Sequence, residues 1–132
     1  MIKTAFCFSD ATFEIVKAPM YQLFTWSGHL GDEDGNITPV PLVFILMSRR
    51  TKADYEACFR VVSSLCPALA TCPTLIMMFD FEDAEWAAAK DVWPNGKRKG
   101  CNFHWKKAVW KAVLRLGLST LYTSKYRYIF HI

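Results

Sequence analysis

Residues 73–80 read PTLIMMFD, and this stretch decides the fold. The continuous apolar run after Pro73 is typical of a buried strand in a parallel sheet. Upstream, residues 2–25 alternate short apolar runs with polar or proline-containing breaks, as paired β-strands do. Another apolar run, residues 42–48, predicts a third strand that is apolar on both faces and buried. Between these runs, residues 27–41 are rich in Gly, Asp and Pro, which predicts a hairpin loop or a small excursion.

Helical patterns lie on both sides of the central run. Thr51 followed by Asp54 predicts a capped helix over residues 52–65, because the apolar positions there recur at spacings of three and four. Pro67 ends this helix. The predicted downstream elements are a helix over residues 82–92, a short strand over residues 97–102 and a helix over residues 103–116 that Gly117 stops.

The predicted order of elements is β-β-β-α-β-α-β-α. An antiparallel start followed by parallel crossovers indicates an α/β fold, with a mixed sheet flanked by helices. The chain has 132 residues, without an internal repeat or a linker, so we expect a single domain over residues 1–132.

Composition excludes several classes of protein. A hydrophobic content of 52% with only 21% charged residues excludes intrinsic disorder. The longest apolar run, residues 42–47, is far shorter than the roughly 18 residues that a membrane-spanning helix needs. Acidic residues at Asp10 and Glu14 interrupt any secretory signal, and five cysteines without framework spacing do not indicate a disulfide scaffold. We therefore expect an intracellular protein with reduced thiols and no membrane association.

The net charge of +4 is unevenly distributed along the chain. Residues 67–132 contain ten Lys or Arg residues and five acidic ones, and no acidic residue follows Asp91. A segment whose charged residues are all positive attracts polyanions such as nucleic acid. The alternative is an ordinary solvated helix face.

Two aspartates follow predicted strands, Asp10 after AFCFS and Asp80 after LIMMF. Ligands of α/β proteins bind at the carboxyl ends of strands, so the two carboxylates converge if the first and fourth strands are neighbours. Hard oxygen ligands select Mg²⁺ or Mn²⁺ over zinc. Alternatively, each aspartate is a helix cap or a turn residue. The nearby acids Glu82, Asp83 and Glu85 are interpreted as first-turn residues of the following helix.

Cys101 and His104 stand at C-x-x-H spacing in GCNFHW. A structural zinc site needs four ligands, and this pair supplies two, so zinc is not expected as a cofactor. We expect a structural role, with Cys101 at the end of a strand and His104 in the first turn of the next helix. Half of a zinc site completed by other ligands is the alternative.

The ordered set of motifs resembles one family. The stretches are SDATFEIVKAPMYQLFTWSG, VPLVFILMSRRTKADYEACF and MMFDFEDAEWAAAKDVWPNGKRKGCNFHWKKAVWKAVLRLGLSTLY. Over about residues 4–122 they are similar to the Mutator-like element (MULE) transposase domain. The resemblance implies a ribonuclease-H-like fold with a DDE active site, in which Asp10 and Asp80 are the first and second catalytic, metal-binding aspartates. Cys101 and His104 match the C-x-x-H signature of the family.

The resemblance also implies a biochemical setting. Transposases of this kind cut and transfer DNA strands with Mg²⁺ or Mn²⁺, act in the nucleus and work as oligomers of the full-length protein. Two departures stand out, namely Ala11 in the place where the family usually has Gly, and the lack of the third catalytic acid, a glutamate on a later helix. We therefore expect a C-terminally truncated fragment or a decayed relic, inactive alone, in which the upstream zinc module is also missing.

The basic segment supports an alternative function from another class. This is a non-enzymatic nucleic-acid-binding domain derived from a transposase. A third reading is a small intracellular protein with no ligand. The residues expected to contact nucleic acid are Lys97, Arg98, Lys99, Lys106, Lys107 and Lys111.

Overall fold

A mixed β-sheet organises the part of the chain that the computed structural model describes, residues 5–31 and 37–123. Strand order in this sheet is β3-β2-β1-β4-β5. The first three strands pair antiparallel, whereas β4 lies parallel to both β1 and β5. The strands are β1 (Ala5–Thr12), β2 (Gln22–Gly31), β3 (Ile37–Met47), β4 (Leu75–Phe79) and β5 (Lys97–Gly100).

The helices follow the strands in the predicted alternation. They are α1 (Lys52–Leu65), α2 (Pro67–Ala70), α3 (Asp83–Val92), α4 (Asn102–Arg115) and α5 (Ser119–Thr123). The mixed sheet with helices confirms the predicted α/β fold class. Only the short helices α2 and α5 were not expected, because segments of four or five residues carry no helical period.

The chain divides into two compact units, Met1–Gly100 and Cys101–Ile132. The first contains the sheet with α1 to α3, and the second contains α4 and α5. The single domain over residues 1–132 stays a prediction. No helix within the described residues is both long and apolar enough to cross a membrane.

The core of the first unit lies between the sheet and the pair α1 and α3. One sheet face contributes buried side chains from β1, β2 and β4, among them Trp26 and Phe79. Phe59 of α1 packs on both rings, with centroid distances of 5.5 Å to Trp26 and 6.0 Å to Phe79. Trp93, directly after α3, stacks on Trp26 at 5.3 Å. Aromatic groups of this size bury large apolar areas and dominate core energetics.

Helix α1 begins where the sequence predicts it. Thr51 is the N-cap, and its hydroxyl accepts a hydrogen bond from the Asp54 amide at 3.3 Å. The Asp54 carboxylate in turn accepts from the Thr51 amide at 3.1 Å. This reciprocal capping box satisfies two amides that a helix start otherwise leaves without partners.

The structure corrects the interpretation of β3 as a buried strand. It is an edge strand, and Leu42, Phe44 and Leu46 are exposed. The pairing of β2 with β3 also extends through Ser27↔Pro41 and on to Gly31↔Ile37, so most of the expected loop is strand. Only residues 32–36 of that loop lie outside the described residues. Backbone ladders need no apolar side chains, which is why composition alone misplaced the hairpin.

The second unit begins with α4, which starts one residue earlier than predicted. Gly117 adopts a φ of +68° just beyond α4, and its amide donates to the Leu114 carbonyl at 3.1 Å. This left-handed glycine ends the helix as expected. The C-terminal residues 124–132, which include Lys125 and Arg127, lie outside the described residues.

Glu85 is a buried acid that links α3 to the sheet. Only 4% of its surface is exposed, and its Oε1 accepts a hydrogen bond from the Ser9 hydroxyl of β1. Burial raises the pKa of Glu85 from its ordinary value of 4.5 to about 8. The Ser9 hydrogen bond opposes this rise, whereas the negative charges of Glu82, Asp80 and Asp10 add to it. The Glu85 carboxyl is therefore protonated in the folded protein at neutral pH.

Glu85 makes the free energy of unfolding depend on pH. Because its pKa is raised in the folded state, its stabilising contribution is fully present below about pH 4.5 and is lost as the pH rises to about 8. At roughly 1.4 kcal/mol per unit of pKa difference, the complete loss is roughly 5 kcal/mol. We predict that Glu85→Gln, which keeps the acceptor oxygen without the charge, removes this dependence and stabilises the protein at pH 8 relative to the wild type.

Urea unfolding at pH 5 and pH 8 measures this effect. Glu14→Gln, at an exposed acid in the loop after β1, is the matched control and retains the wild-type pH dependence. An unchanged pH dependence in Glu85→Gln contradicts the prediction.

Candidate functional site

The pairing of β1 with β4 brings the two predicted site aspartates to one edge of the sheet. The two strands are parallel, and Phe8 is level with Met78. Continuing this register by two residues places Asp10, still within β1, beside Asp80, which directly follows β4. Both aspartates are exposed. The condition on which their convergence depended, that the first and fourth strands are neighbours, is therefore met.

The Asp80 side chain is held by the turn that leads into α3. Its Oδ1 accepts a hydrogen bond from the Phe81 amide at 2.7 Å. Its backbone carbonyl accepts from the Trp86 indole Nε1 at 2.6 Å. Phe79, the residue before it, is fully buried in the core. The position of this carboxylate is thus fixed by the core on one side and by α3 on the other.

Two of the other acids at this edge, Glu82 and Glu85, have structural contacts. Glu82 is the N-cap residue of α3, and its Oε2 accepts a hydrogen bond from the buried Tyr55 hydroxyl at 3.1 Å. Its Oε1 lies 3.8 Å from Nε of Arg50. Asp83 and Glu85 are in the first turn of α3, which confirms the interpretation of these acids as first-turn residues.

The burial of Glu85 was missed, although the sequence contains a signal for it. The buried positions of α3 are Glu85, Ala88 and Ala89, so the acid stands on the helix face that packs inward. Glu85 precedes Ala88 by three residues and Ala89 by four, a spacing that puts all three on one face of the helix. The interpretation of Glu85 as only a first-turn acid that interacts with the helix dipole does not consider this periodicity.

The two carboxylates of Asp10 and Asp80 are suitable ligands for a hard divalent cation. Mg²⁺ is commonly bound through one or two carboxylates, with its other ligands supplied by water and substrate phosphates. Asp10 and Asp80 match that pattern in chemistry and in number. Among the described residues, no three His, Cys, Asp or Glu side chains are grouped as a complete metal site.

The predicted basic residues lie in two places. Lys97, Arg98 and Lys99 form most of β5, next to β4, and both lysines are exposed. The half-buried Arg98 donates from a guanidinium nitrogen to the Gly96 carbonyl at 3.2 Å. In the second unit, three lysines are exposed on α4, namely Lys106, Lys107 and Lys111.

The C-x-x-H pair has the predicted local position. Cys101 directly follows β5 and is the N-cap residue of α4, and His104 lies in the first turn of that helix. The Cys101 carbonyl accepts the Trp105 amide at 3.0 Å, the first hydrogen bond of α4. The His104 ring meets the Phe103 ring edge-on at 5.4 Å.

Solved structures with some likeness to this chain come from viral and microbial proteins. The HTLV-2 integrase catalytic core domain in complex with magnesium has 14% identity and a TM-score of 0.47, over 96% of this chain and 80% of that one. An intasome of simian T-cell lymphotropic virus has 11% identity and a TM-score of 0.41, over 95% of this chain and 45% of that one. LC11-RNase H1, isolated from compost, has 14% identity and a TM-score of 0.38, over 85% of this chain and 99% of that one. No curated protein shows significant similarity to this chain.

The comparison with protein families gives a match to most of the chain. The sequence model of the MULE transposase domain matches residues 6–108. The match extends from the start of β1 into α4 and includes Asp10, Asp80, Cys101 and His104. The chain therefore belongs to the MULE transposase domain family.

Proposed function

We propose that this chain is part of a DNA transposase catalytic core and contributes two acidic residues, Asp10 and Asp80, to metal-dependent cleavage and transfer of DNA strands. The observation that supports the proposal is the parallel pairing of β1 with β4, whose register ends at Phe8↔Met78, two residues before each aspartate. Membership of the MULE family supports DNA as the substrate and the nucleus as the location. Assembly into a homo-oligomer is proposed for the full-length transposase.

The proposed role of the two aspartates is to bind Mg²⁺ or Mn²⁺ together with a phosphate of the DNA backbone. Such an ion, when bound, stabilises negative charge on the oxygens of the phosphodiester. The Phe81 amide and the start of α3 orient the Asp80 carboxylate. Lys97 and Lys99, on the strand next to β4, offer ammonium groups to neighbouring phosphates.

Catalysis by these 132 residues alone is not proposed. Metal-dependent strand transfer uses a third carboxylate with the two aspartates, and the sequence contains no acid after Asp91. Glu82 and Glu85 do not replace this third carboxylate in the proposal. Glu82 accepts a hydrogen bond from the Tyr55 hydroxyl and lies near Arg50. Glu85 is buried and accepts a hydrogen bond from the Ser9 hydroxyl.

The metal site is tested by calorimetric titration with Mn²⁺ or Mg²⁺. We predict binding by the wild type and a loss of at least about tenfold in affinity for Asp10→Asn or Asp80→Asn, since an amide lacks the negative charge of the carboxylate. Asp83→Asn, an exposed acid in the next turn, is the matched control and retains the affinity. Absence of binding by the wild type refutes the metal site. Metal-dependent nicking by the wild type that Asp10→Asn abolishes would show that these 132 residues catalyse cleavage without a further carboxylate.

The second candidate function is nucleic-acid binding without catalysis. The exposed lysines of β5 and α4 favour it, as does the absence of any acid after Asp91. Binding of this kind depends on counterion release and not on the two aspartates.

Salt-dependent DNA binding tests this second function. We predict that replacing Lys97, Arg98 and Lys99 together by Gln weakens binding and reduces the slope of log affinity against log salt by up to about three. The double variant Asp10→Asn, Asp80→Asn keeps the wild-type slope. Lys17→Gln, which removes one exposed positive charge from the loop after β1, is the control for a lysine outside this segment. A triple variant with the wild-type slope rules out this segment as a DNA contact.

Cys101 and His104 are proposed as a structural pair and not as ligands of the catalytic metal. Thiolate and imidazole match Mg²⁺ poorly, and the two residues supply only half of a zinc site. We predict a zinc content near zero in the purified protein and a lower melting temperature for His104→Ala. Stoichiometric zinc that Cys101→Ser removes would show a zinc site instead.

A further inference from the structure

A tyrosine hydroxyl is buried in the aromatic core of the first unit. Tyr55 of α1 is 1% exposed, and its ring packs against those of Phe24 and Phe59 at centroid distances of 5.5 and 6.2 Å. A phenylalanine ring would fill the same space without taking a hydroxyl out of water, which is costly unless the hydroxyl is hydrogen-bonded. Packing alone therefore does not account for a tyrosine at this position.

The Tyr55 hydroxyl links β2 to the start of α3. It accepts a hydrogen bond from Nε2 of the fully buried Gln22 at 3.0 Å and donates to Oε2 of Glu82 at 3.1 Å. Burial raises the pKa of this hydroxyl above its ordinary value of 10.0, so it keeps its proton at neutral pH and can donate. We call these two hydrogen bonds, from Gln22 through Tyr55 to Glu82, the buried relay.

Glu82 is the N-cap residue of α3, but its side chain does not cap the helix. An N-cap side chain ordinarily accepts a hydrogen bond from an amide of the first helical turn. One carboxylate oxygen of Glu82 accepts from Tyr55 instead, and the other lies 3.8 Å from Nε of Arg50. The carboxylate thus ties the start of α3 to α1 and to the loop before α1.

This tie lies two residues after Asp80. Cα atoms two residues apart are separated by at most about 7 Å, so a displacement of Glu82 is passed on to the turn that contains Asp80. The same turn depends on α3 at a second point, because the Trp86 indole donates to the Asp80 carbonyl at 2.6 Å. The direction of the exposed Asp80 carboxylate therefore depends on where α3 begins.

We propose that Tyr55 is a positioning residue for the metal site, because through Glu82 it holds the turn that presents the Asp80 carboxylate beside Asp10. This inference rests on the proposed function and adds to it a residue that touches neither the metal nor DNA. Groups that orient metal ligands without touching the metal commonly have large effects on metal affinity. The buried relay would thereby connect the packing of the core to the strength of metal binding.

Calorimetric titration of the full chain with Mn²⁺ tests this role. We expect Tyr55→Phe, which removes one hydroxyl and no charge, to bind Mn²⁺ about tenfold more weakly than the wild type. Gln22→Met removes the donor to Tyr55 and is expected to weaken binding by a smaller factor, because the hydrogen bond to Glu82 remains. The matched control is Tyr21→Phe, which removes a hydroxyl from a 44% exposed tyrosine, keeps the ring that Arg50 covers and retains the affinity.

A double-mutant cycle separates positioning from a general loss of stability. Because the relay acts through Asp80, Tyr55→Phe is expected to have no further effect on Mn²⁺ affinity in an Asp80→Asn background. Val62→Ala, at a buried position of α1 outside the relay, lowers the melting temperature and leaves the affinity of the folded protein unchanged. All titrations are made at a temperature where melting curves show each variant to be folded.

The outcomes distinguish the inference from the function on which it rests. If the wild type binds no Mn²⁺, the metal site and the positioning role are both overturned. If Asp80→Asn weakens binding and Tyr55→Phe retains the wild-type affinity, only the positioning role is overturned. An equal effect of Tyr55→Phe with and without the Asp80 carboxylate also overturns it, as does a loss of affinity in Val62→Ala as large as that in Tyr55→Phe.

Discussion

The parallel contact between β1 and β4 is the constraint on which the candidate site depends. Neighbouring parallel strands cannot be joined by a tight turn, so the chain must leave the sheet and return through a crossover. Here α1 and α2 supply that crossover between β3 and β4. The buried contacts of Phe59 with Trp26 and Phe79 hold α1 against the sheet. The core thereby fixes the register in which Asp10 and Asp80 come together.

Local signals predicted the crossover well. The capping box at Thr51, the apolar spacing of α1 and the LIMMF run of β4 are each encoded within a few residues, and the structure has them where the sequence indicates. The edge position of β3, unlike these features, is not encoded within a few residues of sequence. The strand has the composition of a buried one, but its side chains alternate between two faces. Val43, Ile45 and Met47 face the core, whereas Leu42, Phe44 and Leu46 point to the opposite face and are exposed, which composition alone does not reveal.

The candidate site divides in the same way between local and tertiary information. Asp10 and Asp80 were predictable because each follows a recognisable strand, whereas their proximity follows from strand order. The burial of Glu85 against Ser9 depends on a contact across 76 residues of sequence. No short motif encodes contacts of that range. Helical periodicity gave the one available hint, for Glu85.

Five carboxyl groups lie at one edge of this sheet, and their environments separate them into two classes, with Glu82 and Glu85 in one and Asp10, Asp80 and Asp83 in the other. Glu85 is buried and keeps its proton, so it adds no negative charge at neutral pH. Glu82 accepts from Tyr55 and lies near Arg50, which offsets its charge. The negative potential of the edge therefore comes mainly from the three acids that are exposed, Asp10, Asp80 and Asp83.

This division links the core to the chemistry of the edge. If Glu85 were ionised, a further negative charge would lie near Asp10, Asp80 and Glu82 in a region of low dielectric, where repulsion between like charges is strong. Protonated Glu85 instead accepts a hydrogen bond from the hydroxyl of Ser9, the residue before Asp10. This contact supports β1 without changing the charge of the site. In the proposed function, the two exposed carboxylates bind a divalent cation, and the lysines of β5, on the strand next to β4, attract the phosphate backbone beside it.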